Sequence, residues 1–319
     1  MKRVRTAADT RELVAELVGF VVQTAPPRVQ ITAVTHEEGF DRHSLEYRSG
    51  DGDRTAAFML VPKTPGPHPG VLALHQHNSQ WEMGKSEILG LGGDRYQAFG
   101  PALARRGVCV LAPDAVGFES RQGRPGSGEE FAPPQSRPGG TPAGWLQFYN
   151  QMCHRLVRGD LLMRKVLMDA SLALSVLTRH ETVDPARIGA VGHSFGGNTV
   201  LFLSALDTRI AFACVSGAAC TYRHKLRNGV GLDMALVIPG CVELFDIDDL
   251  VKCVAPRRIF LVSSEDDPMS GDVHEIVRSA RVSFEEQGCS PHLGHFHGEG
   301  PHALDRIRFE EIVEWMSAI

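Results

Sequence analysis

Residues 187–197, which read RIGAVGHSFGG, carry the clearest indication of how this chain folds. The first five residues form a short apolar run typical of a buried strand, and the apolar positions that follow it recur at helical spacing. So tight a strand-to-helix turn leaves no room for side chains beside Ser194, which explains the glycines at positions 192 and 196. It also points the Ser194 hydroxyl outward, near the free N–H groups of the helix start. The alternative is a glycine-rich turn with a buried serine.

Short apolar runs alternate with helical segments on both sides of this stretch. The predicted strands are Val71 to Leu74, Val108 to Leu111, Ile188 to Val191, Phe212 to Val215 and Ile259 to Val262. Such alternation predicts an α/β fold with a mainly parallel central sheet and helices on both faces. Three earlier β-rich runs, Val29 to Val34, His43 to Arg48 and Thr55 to Val61, predict antiparallel strands at the start of the sheet.

The length of 319 residues fits one large domain, and we predict a single α/β domain over 1–319. Residues 1–28 form a helical extension in this prediction, because apolar residues recur at helical spacing between Thr10 and Val22. Residues 118–149, rich in Gly and Pro, are interpreted as an insertion folded over the carboxyl edge of the sheet. A disordered linker is the alternative.

Aromatic residues follow or face this insertion, and we predict that four of them bind substrate: Trp81, Trp145, Phe148 and Tyr149. Large aromatic side chains supply the apolar area that a long ordered loop needs to pack on the domain. The competing interpretation is that the three aromatic residues after the insertion anchor the next helix in the core.

The charge balance bears on the partners of the protein. Lys and Arg number 33 against 38 Asp and Glu, and no dense basic run appears beyond Met1 to Arg5. Nucleic acid is therefore not expected as a partner. No apolar stretch approaches the roughly 18 residues of a membrane helix, so no membrane partner is expected either. The composition allows a homo-oligomer.

The cysteine pattern and the N-terminus predict a cytoplasmic protein. The seven cysteines are odd in number, include no CxxC pair and fit reduced, mostly buried thiols. The basic start is followed by polar residues rather than by the apolar core of a signal peptide.

A serine nucleophile requires a histidine base and a carboxylate, which in this kind of fold follow in the chain order Ser, Asp, His. The predicted strand that ends at Val262 is followed by a carboxylate cluster with Glu265, Asp266 and Asp267. Asp267, directly before Pro268, is our choice for the acid. Asp266 and Glu265 remain alternatives. The carboxylates of this cluster that do not serve as the acid are expected in a solvated turn or at a helix cap.

His302 is the predicted base, because it lies in the loop after the last predicted strand and before the final helix. His292, His295 and His297 alternate along that strand, so a structural role is expected for them.

The oxyanion of such a site needs backbone N–H donors. Phe195 N–H at the start of the helix is one, and Gln76 or His77 N–H, in the loop after Leu74, is the other. The His75-Gln76-His77 stretch also suggests a metal site shared with the C-terminal histidines. The stretch lacks the further Asp-His of the usual H-x-H-x-D-H motif, so we predict no metal and no cofactor.

These motifs together resemble the α/β-hydrolase superfamily, in particular its dienelactone hydrolase and acetyl xylan esterase-like groups. The residues that carry the resemblance are Leu74 to Asn78, Asp114 with Gly117, Asp184 to Gly189, Gly192 to Gly197, Leu206 to Ile210, Asp266 to Pro268 and Gly300 to His302. They span the chain from about residue 55 to its end. The resemblance implies a Ser194, Asp267, His302 triad and ester or lactone hydrolysis. The chain departs from dienelactone hydrolases in having Ser where they carry a nucleophilic Cys, and from compact members in its insertion and N-terminal helix.

The resulting hypothesis is a serine hydrolase that cleaves a small-molecule carboxylic ester, lactone or thioester through an acyl-enzyme. An acyltransferase or cyclase that uses the same acyl-enzyme is one alternative. A catalytically inactive scaffold that binds a ligand in the same cleft is the other.

Overall fold

A nine-stranded sheet forms the centre of the computed structural model, which describes residues 5–122 and 143–319. The strands are β1 (Gln30–His36), β2 (Phe40–Arg48), β3 (Arg54–Pro62), β4 (His68–Leu74), β5 (Cys109–Pro113), β6 (Val183–His193), β7 (Phe212–Ser216), β8 (Arg258–Ser264) and β9 (Leu293–Gly298). Their order in the sheet is β1-β2-β3-β5-β4-β6-β7-β8-β9. The pairs among β1, β2, β3 and β5 are antiparallel, and all pairs from β5 through β4 to β9 are parallel. The predicted fold class is confirmed.

Helices cover both faces of this sheet. They are α1 (Ala7–Val18), α2 (Lys85–Ile88), α3 (Phe99–Ala104), α4 (Ala143–Val157), α5 (Leu162–Thr178), α6 (Phe195–Leu206), α7 (Tyr222–Asn228), α8 (Ile247–Lys252), α9 (Val273–Glu286) and α10 (Arg306–Ser317). Successive strand residues point to opposite faces, so that Leu72 packs in one core and Val71 in the other. Helices α1, α5, α6, α8 and α9 contribute to the first core, and α3 and α10 contribute to the second.

The N-terminal helix is confirmed, but it ends earlier than its apolar spacing indicates. It begins after Thr6, whose side chain and that of Asp9 form a capping box. Gly19 ends it in the left-handed conformation, with φ 66°. The apolar residues Val21 and Val22 therefore follow the helix rather than extend it.

The predicted insertion is shorter as a loop than 118–149. Helix α4 begins at Ala143, so that Trp145, Phe148 and Tyr149 lie on a helix and not in the loop. A 3-10 turn, Glu119–Arg121, occupies its other end. Residues 123–142, and with them most of the predicted insertion, lie outside the described residues.

The structure also bears on the predicted thiols and on the predicted lack of a membrane helix. All seven cysteines are free, and only Cys153 is not fully buried. None of the helices in the described ranges combines the length and the apolar character that a membrane span requires.

Candidate active site

Ser194 occupies the turn between β6 and α6 in a conformation that few residues other than glycine adopt. Its φ is 55° and its ψ is −118°. The Ser194 N–H donates a hydrogen bond of 2.9 Å to the carbonyl of Ser216, which ties the turn to the end of β7. A strained, half-buried serine at a strand end is a common feature of functional sites.

The glycines around Ser194 are required by close backbone contacts. A Cβ added to Gly192 would lie 2.4 Å from the carbonyl carbon of Gly196. A Cβ added to Gly196 would lie 2.1 Å from the carbonyl oxygen of Leu74, the last residue of β4. The turn therefore packs directly on the end of β4, as the sequence motif predicts.

The structure brings Ser194, His302 and Asp267 together. His302 Nε2 lies 2.9 Å from Ser194 Oγ, and His302 Nδ1 lies 2.8 Å from Asp267 Oδ1. A neutral imidazole fits this arrangement when Nδ1–H donates to the carboxylate and Nε2 accepts from the hydroxyl. The side chain of His302 is 33% exposed, whereas that of Asp267 is 1% exposed. The imidazole thus lies between a buried carboxylate and a solvent-accessible hydroxyl.

Asp267 is held as a carboxylate by its hydrogen bonds. Burial disfavours the charged form, but hydrogen bonds from His302, from Met269 N–H and from the Ser270 hydroxyl outweigh it and lower the pKa of Asp267 below its usual range. Glu265 and Asp266 are exposed at the surface. Of the three carboxylates, Asp267 alone contacts His302.

The other C-terminal histidines lie on or beside β9. His295 Nε2 and His297 Nδ1 each lie 2.9 Å from Ser263 Oγ. His292 Nδ1 lies 2.6 Å from the carbonyl oxygen of Pro256. These contacts fit the structural role that the alternating pattern predicts.

A further histidine at the site was not predicted from the sequence. His193 is buried, its Nδ1 lies 3.0 Å from Ser216 Oγ, and its ring centroid is 4.7 Å from that of His302. Burial, with the charge of His302 as a smaller cause, lowers the pKa of His193 to about 3. Its position next to Ser194 is the one signal in the sequence that could have found it.

The three predicted oxyanion donors lie where β4 meets α6. Within the ranges that the structure describes, the backbone N–H groups of Phe195, Gln76 and His77 have no hydrogen-bond acceptor. The His77 ring packs edge-on against Trp81 at 4.3 Å, and burial, with a smaller contribution from the neighbouring His75, lowers the pKa of His77 to about 4. His77 is therefore a neutral residue at neutral pH.

The four predicted substrate-binding aromatics divide into two pairs. Trp81 and Phe148 are buried with their ring centroids 5.3 Å apart, and Phe148 also lies 5.9 Å from Phe195. Trp145 and Tyr149 are 38% and 39% exposed and stack on each other at 5.0 Å with an angle of 9°. Phe148 anchors α4 in the core, which was the competing interpretation, whereas Trp145 and Tyr149 face outward.

The His75-Gln76-His77 stretch and the C-terminal histidines are the residues that suggest a metal site in the sequence. No group of three or more His, Cys, Asp or Glu side chains in residues 5–122 and 143–319 is arranged to hold a metal ion. His75 Nδ1 contacts the carbonyl of Gln76, and His77 Nδ1 accepts from the N–H of Ser79.

A mainly parallel sheet with a serine at the turn after its central strand defines the α/β-hydrolase class. Residues 22–227 match the family model for acetyl xylan esterase, AXE1. Since this range is more than half of the chain, the protein belongs to the acetyl xylan esterase (AXE1) family. Membership of this family identifies a carboxylic ester hydrolase that acts on a small-molecule ester, and it confirms the resemblance to acetyl xylan esterases.

The chain is also similar to individual proteins. The chain is 27% identical over 292 residues to the "Putative hydrolase YtaP" of Bacillus subtilis (strain 168), a match that covers 89% of each protein. Its fold is similar to that of a "putative acetyl xylan esterase" of Bacteroides fragilis NCTC 9343, with TM-score 0.72, 17% identity and coverage of 98% and 86% of the two chains. It is also similar to that of a glucuronoyl esterase from Solibacter usitatus, with TM-score 0.65, 15% identity and coverage of 97% and 91%. At these identities the two solved structures show the shared fold alone.

Proposed function

We propose that the protein hydrolyses its ester with Ser194 as nucleophile, His302 as general base and Asp267 as the carboxylate that orients the imidazole. The observation that carries this proposal is the continuous pair of contacts from Ser194 Oγ through His302 to Asp267, at 2.9 Å and 2.8 Å. Ionised Asp267 stabilises the imidazolium that forms when His302 takes the serine proton.

The contacts of Ser194 and His302 support a two-step catalytic cycle. Ser194 Oγ attacks the ester carbonyl while its proton passes to His302 Nε2, and the resulting oxyanion accepts hydrogen bonds from Phe195 N–H and from Gln76 or His77 N–H. His302 gives the proton to the departing alkoxide, which leaves as the alcohol. A water molecule, deprotonated by the same imidazole, then attacks the acyl-enzyme, and His302 returns that proton to Ser194 Oγ as the acid is released.

The substrate class in this proposal is a carboxylic ester of a carbohydrate. The match to the acetyl xylan esterase family supports it, and two proteins of similar fold are named as a "putative acetyl xylan esterase" and a glucuronoyl esterase. Lactones and thioesters present the same carbonyl to Ser194 and belong in the same substrate screen. An acyltransferase would be revealed by acylated product that appears only when an alcohol or amine acceptor is added.

The test is covalent labelling with a fluorophosphonate, combined with hydrolysis of p-nitrophenyl acetate and acetylated xylo-oligosaccharides. Peptide mapping should place the label on Ser194, and Ser194→Ala should abolish labelling and lower kcat by about 10⁴-fold or more. Ser290→Ala, at the opposite edge of the sheet before β9, is the control and should retain wild-type activity. Wild-type turnover in Ser194→Ala would refute the proposal.

A further inference from the structure

His75 is a buried side chain beside the site that the catalytic cycle does not use. Its Nε2 accepts a hydrogen bond of 3.1 Å from Ala115 N–H, at the end of the neighbouring strand β5. Because Nε2 is an acceptor, the ring proton of the neutral imidazole is on Nδ1. Nδ1–H then donates to the carbonyl oxygen of Gln76, 2.8 Å away. The Ala115 N–H, two residues after β5, therefore fixes the tautomer with which His75 holds Gln76.

The Gln76 carbonyl and the His77 N–H belong to one peptide unit. In a trans peptide these two groups point in opposite directions, so a bond that fixes the carbonyl also fixes the direction of the N–H. In the preceding peptide, the His75 carbonyl oxygen lies 2.8 Å from the place of a Cβ on Gly196, so it faces the serine turn. The Gln76 N–H of that peptide consequently points away from the turn.

A second contact holds the same loop from its other side. Gln76 Nε2 donates to Glu87 Oε1 at 2.9 Å, and both side chains are buried. Burial raises the pKa of Glu87, while hydrogen bonds from Asp94 N–H and Gln76 act against that rise. The Gln76 side chain is thereby tied to Glu87, and the direction of the peptide between Gln76 and His77 depends on the bond from His75.

We propose that His75 is a positioning residue that aims the His77 N–H at the oxyanion and so makes His77, rather than Gln76, the second donor. This inference rests on the proposed function, because the oxyanion forms only if Ser194 attacks a carbonyl. A donor that is already aligned costs no reorganisation when the charge develops. Loss of the Nδ1–H bond leaves the peptide free to rotate and weakens binding of the transition state more than binding of the substrate.

Two matched variants separate the two hydrogen bonds of His75. The amide of Asn reaches about as far as Nδ1, so His75→Asn retains a donor for the Gln76 carbonyl and loses the contact with Ala115. The longer amide of Gln reaches the position of Nε2, so His75→Gln retains an acceptor for Ala115 N–H and loses the donor to Gln76. We expect kcat to fall on the order of 10- to 100-fold in His75→Gln with KM nearly unchanged, and to fall by less than about fivefold in His75→Asn.

The rate of Ser194 phosphonylation by a fluorophosphonate is the second measurement, because it reports the folded site without requiring the natural substrate. It should fall in His75→Gln and be retained in His75→Asn. Wild-type kcat and labelling rate in His75→Gln would overturn the inference while leaving the proposed function intact. Equal losses in the two variants, in step with a lowered Tm, would show that His75 is only structural. Failure of the wild-type protein to label at Ser194 would instead refute the proposed function, and this inference with it.

Discussion

At the scale of single residues, burial separates Asp267, the acid chosen from the sequence, from Asp266 and Glu265, which the sequence leaves open as alternatives. Its carboxylate contacts His302, Met269 N–H and Ser270, whereas Asp266 is exposed. Asp267→Asn should therefore lower kcat by about 10⁴-fold, because the amide cannot stabilise the imidazolium and favours the wrong tautomer of His302. Asp266→Asn is the matched control and should retain most of the activity. Steady-state kinetics with one acetyl ester compares them, and a larger loss in Asp266→Asn would show that the acid is wrongly assigned.

His193 should make the protein sensitive to acid independently of catalysis. Its pKa is about 3 in the folded chain, mainly because of burial, and about 6.5 when the chain unfolds. Below pH 6.5 the unfolded chain takes up a proton here while the folded chain does not. This residue therefore lowers the free energy of unfolding by up to about 1.4 kcal/mol per pH unit as the pH falls towards 3.

His193→Asn should remove that dependence while keeping an amide near Ser216. Urea unfolding at several values between pH 6 and pH 4 measures the slope for the wild type and the variant. His36→Asn changes a side chain that is 75% exposed and pairs with Asp41 at the surface, so it should change the slope much less than His193→Asn does. If His193→Asn kept the wild-type slope, other groups would account for the acid sensitivity.

At the scale of elements, the sequence predicts the turn at Ser194 better than the segment after Phe118. The strand, the glycines and the helix around Ser194 are contiguous in the sequence. Gly192 is required by a contact with Gly196 four residues later, whereas Gly196 and Gly197 contact the ends of β4 and β7. The start of α4 has no such local signal, because Gly144 is required by its contact with the ring of Trp81. The same applies to His75, whose hydrogen bonds join β4 to the end of β5 and depend on strand order.

Helix α4 presents aromatic residues to two environments, which predicts two different results of substitution. Phe148 is buried against Trp81 and Phe118, so Phe148→Ala should lower the free energy of unfolding by about 3–5 kcal/mol. Trp145 and Tyr149 are partly exposed, so Trp145→Ala and Tyr149→Ala should change it by less than about 1 kcal/mol.

Substitution of the two exposed rings also tests the prediction that the 118–149 segment forms part of the substrate site. If it does, Trp145→Ala and Tyr149→Ala should raise KM for acetylated oligosaccharides and leave KM for p-nitrophenyl acetate unchanged, because the small ester is too short to reach them. Unchanged KM for both substrates would show that these rings do not contact substrate.

At the scale of the whole molecule, α1 connects the N-terminal residues to the same core that supports the serine turn. Val14 and Val18 are buried in this core. Arg11 donates to the carbonyl of Ala205 in α6 at 2.9 Å and to that of Cys253, at the end of α8, at 2.8 Å. The predicted extension of residues 1–28 therefore packs on the helix that begins at the active site, which favours a single folding unit.

Removal of residues 1–19 tests that single-domain prediction. Two buried valines contribute roughly 1.5–3 kcal/mol each, and their loss also exposes the apolar surface of α6 beneath them, so the free energy of unfolding should fall by at least about 3 kcal/mol. Urea unfolding followed by tryptophan fluorescence and by circular dichroism should give one coincident transition for the full chain, because α1 shares its core with the sheet. Glu12→Ala, on the exposed face of α1, should leave the midpoint unchanged. A helix that shares the core cannot unfold without exposing it. If the truncated chain kept the wild-type midpoint, or if the full chain showed a separate early transition, α1 would be an independent appendage.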